Sequence, residues 1–154
     1  MIKVEAAAIN PSDILFMRGL YNVKLNLPYT PGWEGSGTVV AVGDKIKNKS
    51  ILGKRVGFVK QPELLTYKVG GAMADFCVTN ERSVMEIPDE SISFEEASSM
   101  FVNPLTAICM VDRVEQLGAQ ACIVTAAASQ IGRMIIQLLK IKGIKPLCTV
   151  RKQA

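Results

Sequence analysis

Residues 122–140, "CIVTAAASQIGRMIIQLLK", read as a strand, a tight turn of small residues and a helix. In that arrangement a dinucleotide fold grips a pyrophosphate, through the glycine fingerprint GxGxxG. The first glycine makes the turn, the second lets backbone approach the phosphates, and the third lets helix and strand pack closely. Aligned on Gly132, this chain keeps only the third glycine. Ser129 stands at the second position, and Ala126 and Ala127 fill the turn. Alanine suits such a turn where φ is negative. Ser129 offers a hydroxyl to a phosphate oxygen, and the helix N-terminus still supplies N–H groups and partial positive charge. A small-residue turn in another α/β protein would give the same string, so both readings stay open here.

The end of the following strand adds a second piece of chemistry. An acid there would bind the ribose 2′-hydroxyl of NAD. This chain carries Arg151 and Lys152 instead. A basic pair neutralises a 2′-phosphate and points to NADP(H); two solvated charges are the plain alternative. Other chemistries are closed off. The chain has no histidine, which excludes Ser-His-Asp and Cys-His catalysis and every histidine-containing metal site. Its cysteines, Cys77, Cys109, Cys122 and Cys148, contain no CxxC pair. Three lie in apolar runs and read as buried thiols of a reducing compartment.

The elements that must position these residues follow from pattern. Residues 2–8 suit a strand. "NPSDILFMRG" signals a short helix that Asn10 can cap, with Pro11 in its first turn and Gly19 at its end. "YNVKLNLPYTPGWEGSG" reads as loop, "TVVAVG" as a strand, and further short strands are expected in "GKRVGFV", "GAMADFCVTN" and "SVMEIP". Short strands joined by Gly/Pro turns suggest a small barrel or sandwich. Near residue 93 the period changes. Ser93 and Glu96 have capping-box spacing, and helical periodicity runs on through "VNPLTAICMVDRVEQL" to Gly118. A strand at 121–126, a helix at about 130–142 and a strand in "KPLCTV" make one βαβ unit. The helix carries Ile131, Met134, Ile135, Leu138 and Leu139 on one face. The fold expected is mixed α/β, with a domain boundary between about 90 and 105.

Of 154 residues, 49% are apolar and 21% charged, an ordinary globular composition. No apolar run reaches the ~18–20 residues of a membrane span. "MIKVEAAAIN" is neither signal nor transit peptide and reads like the middle of a strand. The net charge of +4 is uneven: residues 116–154 hold six basic residues and no acid. That favours an anionic ligand or a solvated helix face. Nucleic acid is the weaker partner, because no aromatic platform accompanies the basic residues.

The stretches "AAAINPSDILFMRG", "PGWEGSGTVVAVG", "GAMADFCV", "FVNPLTA" and "VTAAASQIGRM" resemble the medium-chain dehydrogenases/reductases, in their zinc-independent quinone and 2-enoyl thioester reductase branches. The resemblance covers essentially the whole chain. It implies a GroES-like β-barrel catalytic domain over 1–95 and the start of a Rossmann NAD(P)-binding domain over 96–154. The zinc-dependent branch has a cysteine where Asn10 stands and a histidine where Trp33 stands, so hydride transfer would proceed without a metal. By resemblance, Asn10 bonds near the nicotinamide ribose or the substrate, and Thr106 lies close to the nicotinamide. Ser129, Gln130 and Ile131 present backbone to the pyrophosphate, with Gly132 and Arg151 completing the cofactor set. Tyr21 matches a tyrosine of the mitochondrial thioester reductases that acts as proton donor or carbonyl polariser; a neutral phenol does either. The subgroup's "VNPxTAY" tyrosine is replaced by Ile108. Each role has a plainer competitor: Tyr21 as a packed ring, Asn10 as a cap, Thr106 as a helix residue.

The resemblance also implies family chains about twice this length, both domains being incomplete here. A 154-residue form is then expected to be inactive or to need completion by a partner, with an apolar strand edge at 121–126. The implied partners are NADP(H) and a small molecule, a quinone or 2-enoyl thioester, with neither nucleic acid nor membrane. A homodimer is implied only for the full-length family. The default compartment is cytoplasmic, with mitochondrial location open. The competing reading is a non-catalytic association module derived from such an enzyme.

Overall fold

The structure is a computed structural model that describes residues 1–21, 27–60 and 70–151. The chain forms two compact units, the first Met1–Phe101 and the second beginning at Val102.

The first unit is built on five antiparallel strands. They are β1 (Ile2–Ala7), β2 (Glu34–Val39), β3 (Arg55–Val59), β4 (Phe76–Cys77) and β5 (Val84–Glu86), in the order β4-β1-β2-β3-β5. Ile2, Val39, Val56, Phe58, Ala72 and Cys77 form its core. Helix α1 (Pro11–Met17) connects β1 to the loop before β2 and stops at Gly19, whose φ is +69°. Helix α2 (Phe94–Ala97) carries the expected reciprocal cap of Ser93 and Glu96.

Strand β2 differs from the sequence expectation. It starts at Glu34 and ends at Val39, so "EGSG" is strand rather than loop. The glycines there serve close approach, not a turn. A Cβ on Gly37 would lie 2.0 Å from the Lys3 carbonyl oxygen, and one on Gly35 would lie 2.8 Å from that of Ala6. Without side chains, β2 can lie this close to β1, its antiparallel neighbour, where the register shifts between Val4 and Ala6. The strand in "GAMADFCVTN" shrinks to two residues, Phe76–Cys77.

The second unit holds helix α3 (Val102–Gln116), strand β6 (Ala121–Val124), helix α4 (Gln130–Ile141) and strand β7 (Lys145–Cys148). Strands β6 and β7 are parallel, Ala121 opposite Lys145 through Val124 opposite Cys148, so β6-α4-β7 is a βαβ unit. Its core is Val111, Val124, Ala127, Leu139 and Ile144, with Ile135 and Leu138 packed against it. Gly118, at φ +65°, stops α3. Helices α2 and α3 are separate where one run was expected. The Phe101 N–H between them donates to the Glu34 carboxylate rather than to a helical carbonyl.

The expectation of three buried cysteines needs correction. All four are free, but among them only Cys77 is buried; Cys109 and Cys148 are exposed. Apolar neighbours in sequence did not mean burial. The core side of α3 is taken by Ala107 and Val111, and Cys148 ends a strand whose residues are mostly exposed.

Candidate active site

The first cluster is assembled by the loop ahead of α1 and the start of β2. Glu34 is 0% exposed, and both of its carboxylate oxygens accept a hydrogen bond. Asn10 Nδ2 donates to Oε1 at 3.0 Å and the Phe101 N–H donates to Oε2 at 3.1 Å. Asp13, 1% exposed, accepts from the Asn10 N–H at 2.8 Å and from the Trp33 N–H at 3.1 Å. Burial pushes its carboxyl up, against the backbone bonds from Asn10, Trp33 and Gly32 that draw it down. Two buried carboxylates therefore fix Asn10, Trp33 and the N-terminus of α1 as one body.

Over this frame lies a group of aromatic rings. Phe16 meets Tyr29 at 5.0 Å and Trp33 at 4.9 Å between centroids, both edge-on. Tyr21 sits 6.2 Å from Phe16 and 5.6 Å from Trp33. Tyr21 is 42% exposed, so one part of its ring packs and the other faces outward. Behind Tyr29 lies Lys60, 3% exposed. Its ammonium donates to the Tyr29 hydroxyl and lies 3.9 Å from the centroid of that ring. Burial pulls the Lys60 amine down to about 8 and pushes the Tyr29 phenol up to about 12.

The second cluster is the turn between β6 and α4. Ala126 has φ +48°, so the expected negative φ does not hold: this alanine occupies the left-handed region that glycine favours. Ser129 caps α4, its Oγ accepting the Gly132 N–H at 3.1 Å. The hydroxyl's acceptor side is therefore engaged, and its own proton is left to donate. Gly132 packs against the turn. A Cβ there would lie 2.7 Å from the Ala126 oxygen and 2.8 Å from that of Ala127. Arg133 Nε donates to the Ala128 carbonyl at 3.2 Å and so adds a cation at the turn. A cavity of about 840 Å³ in this unit is lined by Thr106, Ser129, Ile131 and Gly132 among largely apolar side chains. Thr106 itself is exposed and donates to the Val102 carbonyl at 2.6 Å. Gln130 opens α4 and is exposed, as is Arg151; Lys152 lies outside the described residues.

The second unit thus brings Thr106, Ser129, Ile131 and Gly132 to one cavity, and the first brings Asn10 and Tyr21 to one loop region. Sequence reasoning passed over Glu34, Asp13, Tyr29, Lys60 and Arg133. Glu34 and Asp13 lay within the quoted motifs, but only tertiary burial marks them. Lys60 reads in sequence as a surface lysine. Among the described residues no group of three or more His, Cys, Asp or Glu could hold a metal ion, and no helix is long and apolar enough to cross a membrane.

Comparisons with known proteins agree with this architecture. A family model for the alcohol dehydrogenase GroES-like domain matches residues 1–89. The mitochondrial enoyl-acyl-carrier-protein reductase of Arabidopsis thaliana is 32% identical over 99% of this chain and 39% of its own. A crystal structure of a candidate NADPH:quinone reductase from Mesorhizobium loti superposes with TM-score 0.86 at 39% identity, covering 99% of this chain and 42% of that one. A mycobacterial protein complexed with NADPH gives TM-score 0.81 at 28% identity, over 98% and 44%. The chain spans about two fifths of the length of the curated relatives it matches.

Proposed function

Because the chain belongs to the alcohol dehydrogenase GroES-like domain family, we propose that it supplies the substrate-side domain and the opening of the dinucleotide-binding domain of a zinc-free, NADP(H)-dependent reductase. Residues 1–95 are assigned to the first and 96–154 to the second. The substrate is a quinone or a 2-enoyl thioester. The observation that carries this reading is the β6–α4 turn, with Ala126 left-handed, Ser129 as cap and Gly132 packed on the turn. That geometry fits a dinucleotide. It sets the start of a 12-residue helix, through Ser129, Ile131 and Gly132, along the lining of a cavity. The names printed for the relatives support the same cofactor and the same two substrate classes.

When bound, the cofactor supplies a hydride. The chain's own residues bind and orient. The backbone of Ser129, Gln130 and Ile131 takes the pyrophosphate, and Gly132 keeps the helix close enough for it. Arg151 faces the 2′-phosphate, with Arg133 adding positive charge at the turn. Thr106 flanks the nicotinamide. Asn10, whose amide is held by Glu34, and Tyr21, whose ring is held by Phe16 and Trp33, serve the substrate side. At the two zinc-ligand positions stand Asn10 and Trp33, neither suited to bind zinc.

Equilibrium binding of two adenosine fragments tests this reading. 2′,5′-ADP should bind this chain at least about tenfold more tightly than 5′-AMP, and Arg151→Ala should erase the difference, tenfold being one charge-assisted contact. Equal affinities in the unaltered chain would sink the NADP(H) assignment.

A further inference from the structure

We propose that Tyr29 and Lys60 form a proton-donating pair that stabilises an oxyanion on a conjugated carbonyl substrate. The proposal rests on the reductase reading above and adds to it a second acid besides Tyr21.

The observations are local to one end of the first unit's sheet. Lys60 follows β3, and its backbone N–H donates to the Trp33 carbonyl at 2.7 Å, which sets it across from the start of β2. Its side chain is 3% exposed, yet its ammonium forms no ion pair with a carboxylate among the described residues. Its one side-chain acceptor there is the Tyr29 hydroxyl. Among the described residues this buried ammonium, with three donors, has only a neutral partner, an arrangement that an arriving anion would relieve. Tyr29 is half-buried, so the partner of that cation keeps some exposure to solvent. Trp33, which shares Phe16 with Tyr29 as a ring neighbour, has in Nε1 a buried donor with no acceptor among the described residues. Tyr21, by contrast, contacts rings.

The chemistry balances as follows. A bound nicotinamide cofactor would supply a hydride to the far carbon of the conjugated carbonyl, whose displaced electron pair would collect on the carbonyl oxygen. That oxyanion takes the Tyr29 proton. The phenolate left on Tyr29 takes a proton from the Lys60 ammonium, and solvent returns one to the amine. Alone, a phenol raised to about 12 is a poor acid. An ammonium lowered to about 8 is charged at neutral pH and releases its proton more readily than a surface lysine does. The other ionisable groups acting here are Cys77, a thiol pushed up by burial, and Asp13, whose charge opposes ionisation of Tyr29.

The probe is 4-nitrophenol, a flat phenol coloured only as its phenolate, added to the 154-residue chain without cofactor. An ammonium one phenol away should lower the probe's apparent pKa by about one unit, a tenfold enrichment of phenolate. Lys60→Met should abolish the shift and Tyr29→Phe should reduce it, in chains that still melt cooperatively. In parallel, NMR of the lysine side-chain carbons should show the Lys60 titration moving to higher pH when the phenol is present. A probe that ionises identically with and without the chain overturns the proposal. So does a Lys60 titration that the phenol leaves unmoved, and that readout needs no variant. Because no cofactor is used, failure here leaves the NADP(H) assignment standing, and failure of the adenosine fragments to bind leaves this result standing.

Discussion

At the scale of the residue, the account turns on three buried ionisable side chains: Asp13, Glu34 and Lys60. Glu34 accepts two donors at once, and Glu34→Gln puts an amide NH2 against one of them. That change should cost about 2–3 kcal/mol, read as a fall in denaturant midpoint with an unchanged slope. A loss below ~0.5 kcal/mol would mean the carboxylate is not the frame of the site. Lys60 sets a pH dependence. Its folded pKa, about 8, lies below the unfolded one, so the unfolded chain binds the extra proton above that pH. Stability should therefore rise from about pH 8 to about pH 10. Above that, Tyr29 acts the other way: it keeps its proton to about 12 when folded and ionises earlier when unfolded. Midpoints collected across this range should rise to about pH 10 and fall above it, and Lys60→Met should remove the rise. None of this could be read from the string. "GFVK" shows a lysine after a strand; its burial comes from where β3 ends against Trp33 and Tyr29.

At the scale of the element, local signals were legible and long-range ones were not. The Ser93–Glu96 cap, Pro11 at the head of α1, and Gly118 at the end of α3 are short-range devices, and sequence showed each. Strand β2 was misplaced because "EGSG" carries the composition of a turn. Its glycines answer instead to a strand about 30 residues away in sequence, for Gly37 stands over the Lys3 carbonyl. Gly37→Ala should thus destabilise by about 2–4 kcal/mol, whereas Gly43→Ala, with nothing within 4 Å, should change stability by less than about 0.5 kcal/mol. Equal effects in the two melts would contradict this close approach of β1 and β2. The β6–α4 turn was legible as strand, turn and helix, but the φ of Ala126 was not. Ala126→Gly should leave stability unchanged or raise it by about 1 kcal/mol, and Ser129→Ala should lower it by a similar amount through loss of the cap. A clear loss in Ala126→Gly would argue against the left-handed turn.

At the scale of the whole molecule, the chain is two units with separate cores, one antiparallel and one a parallel βαβ. The change of hydrophobic period near residue 93 showed that two kinds of structure follow one another. The basic stretch 116–154 belongs to the second unit, where an anionic cofactor is proposed. Charge asymmetry and fold thus point to the same end of the chain. The relatives' names span two substrate classes, enoyl-acyl-carrier-protein and quinone.

NADP(H) binding by the second unit, as proposed above, would show first in thermal unfolding of the chain with and without NADPH. At about 100 times its dissociation constant, a ligand that binds only the folded state adds roughly 2.7 kcal/mol, so the midpoint should rise by about 5 °C or more. NADH at the same concentration should raise it less. A cooperative transition whose midpoint is the same with and without NADPH would contradict the account.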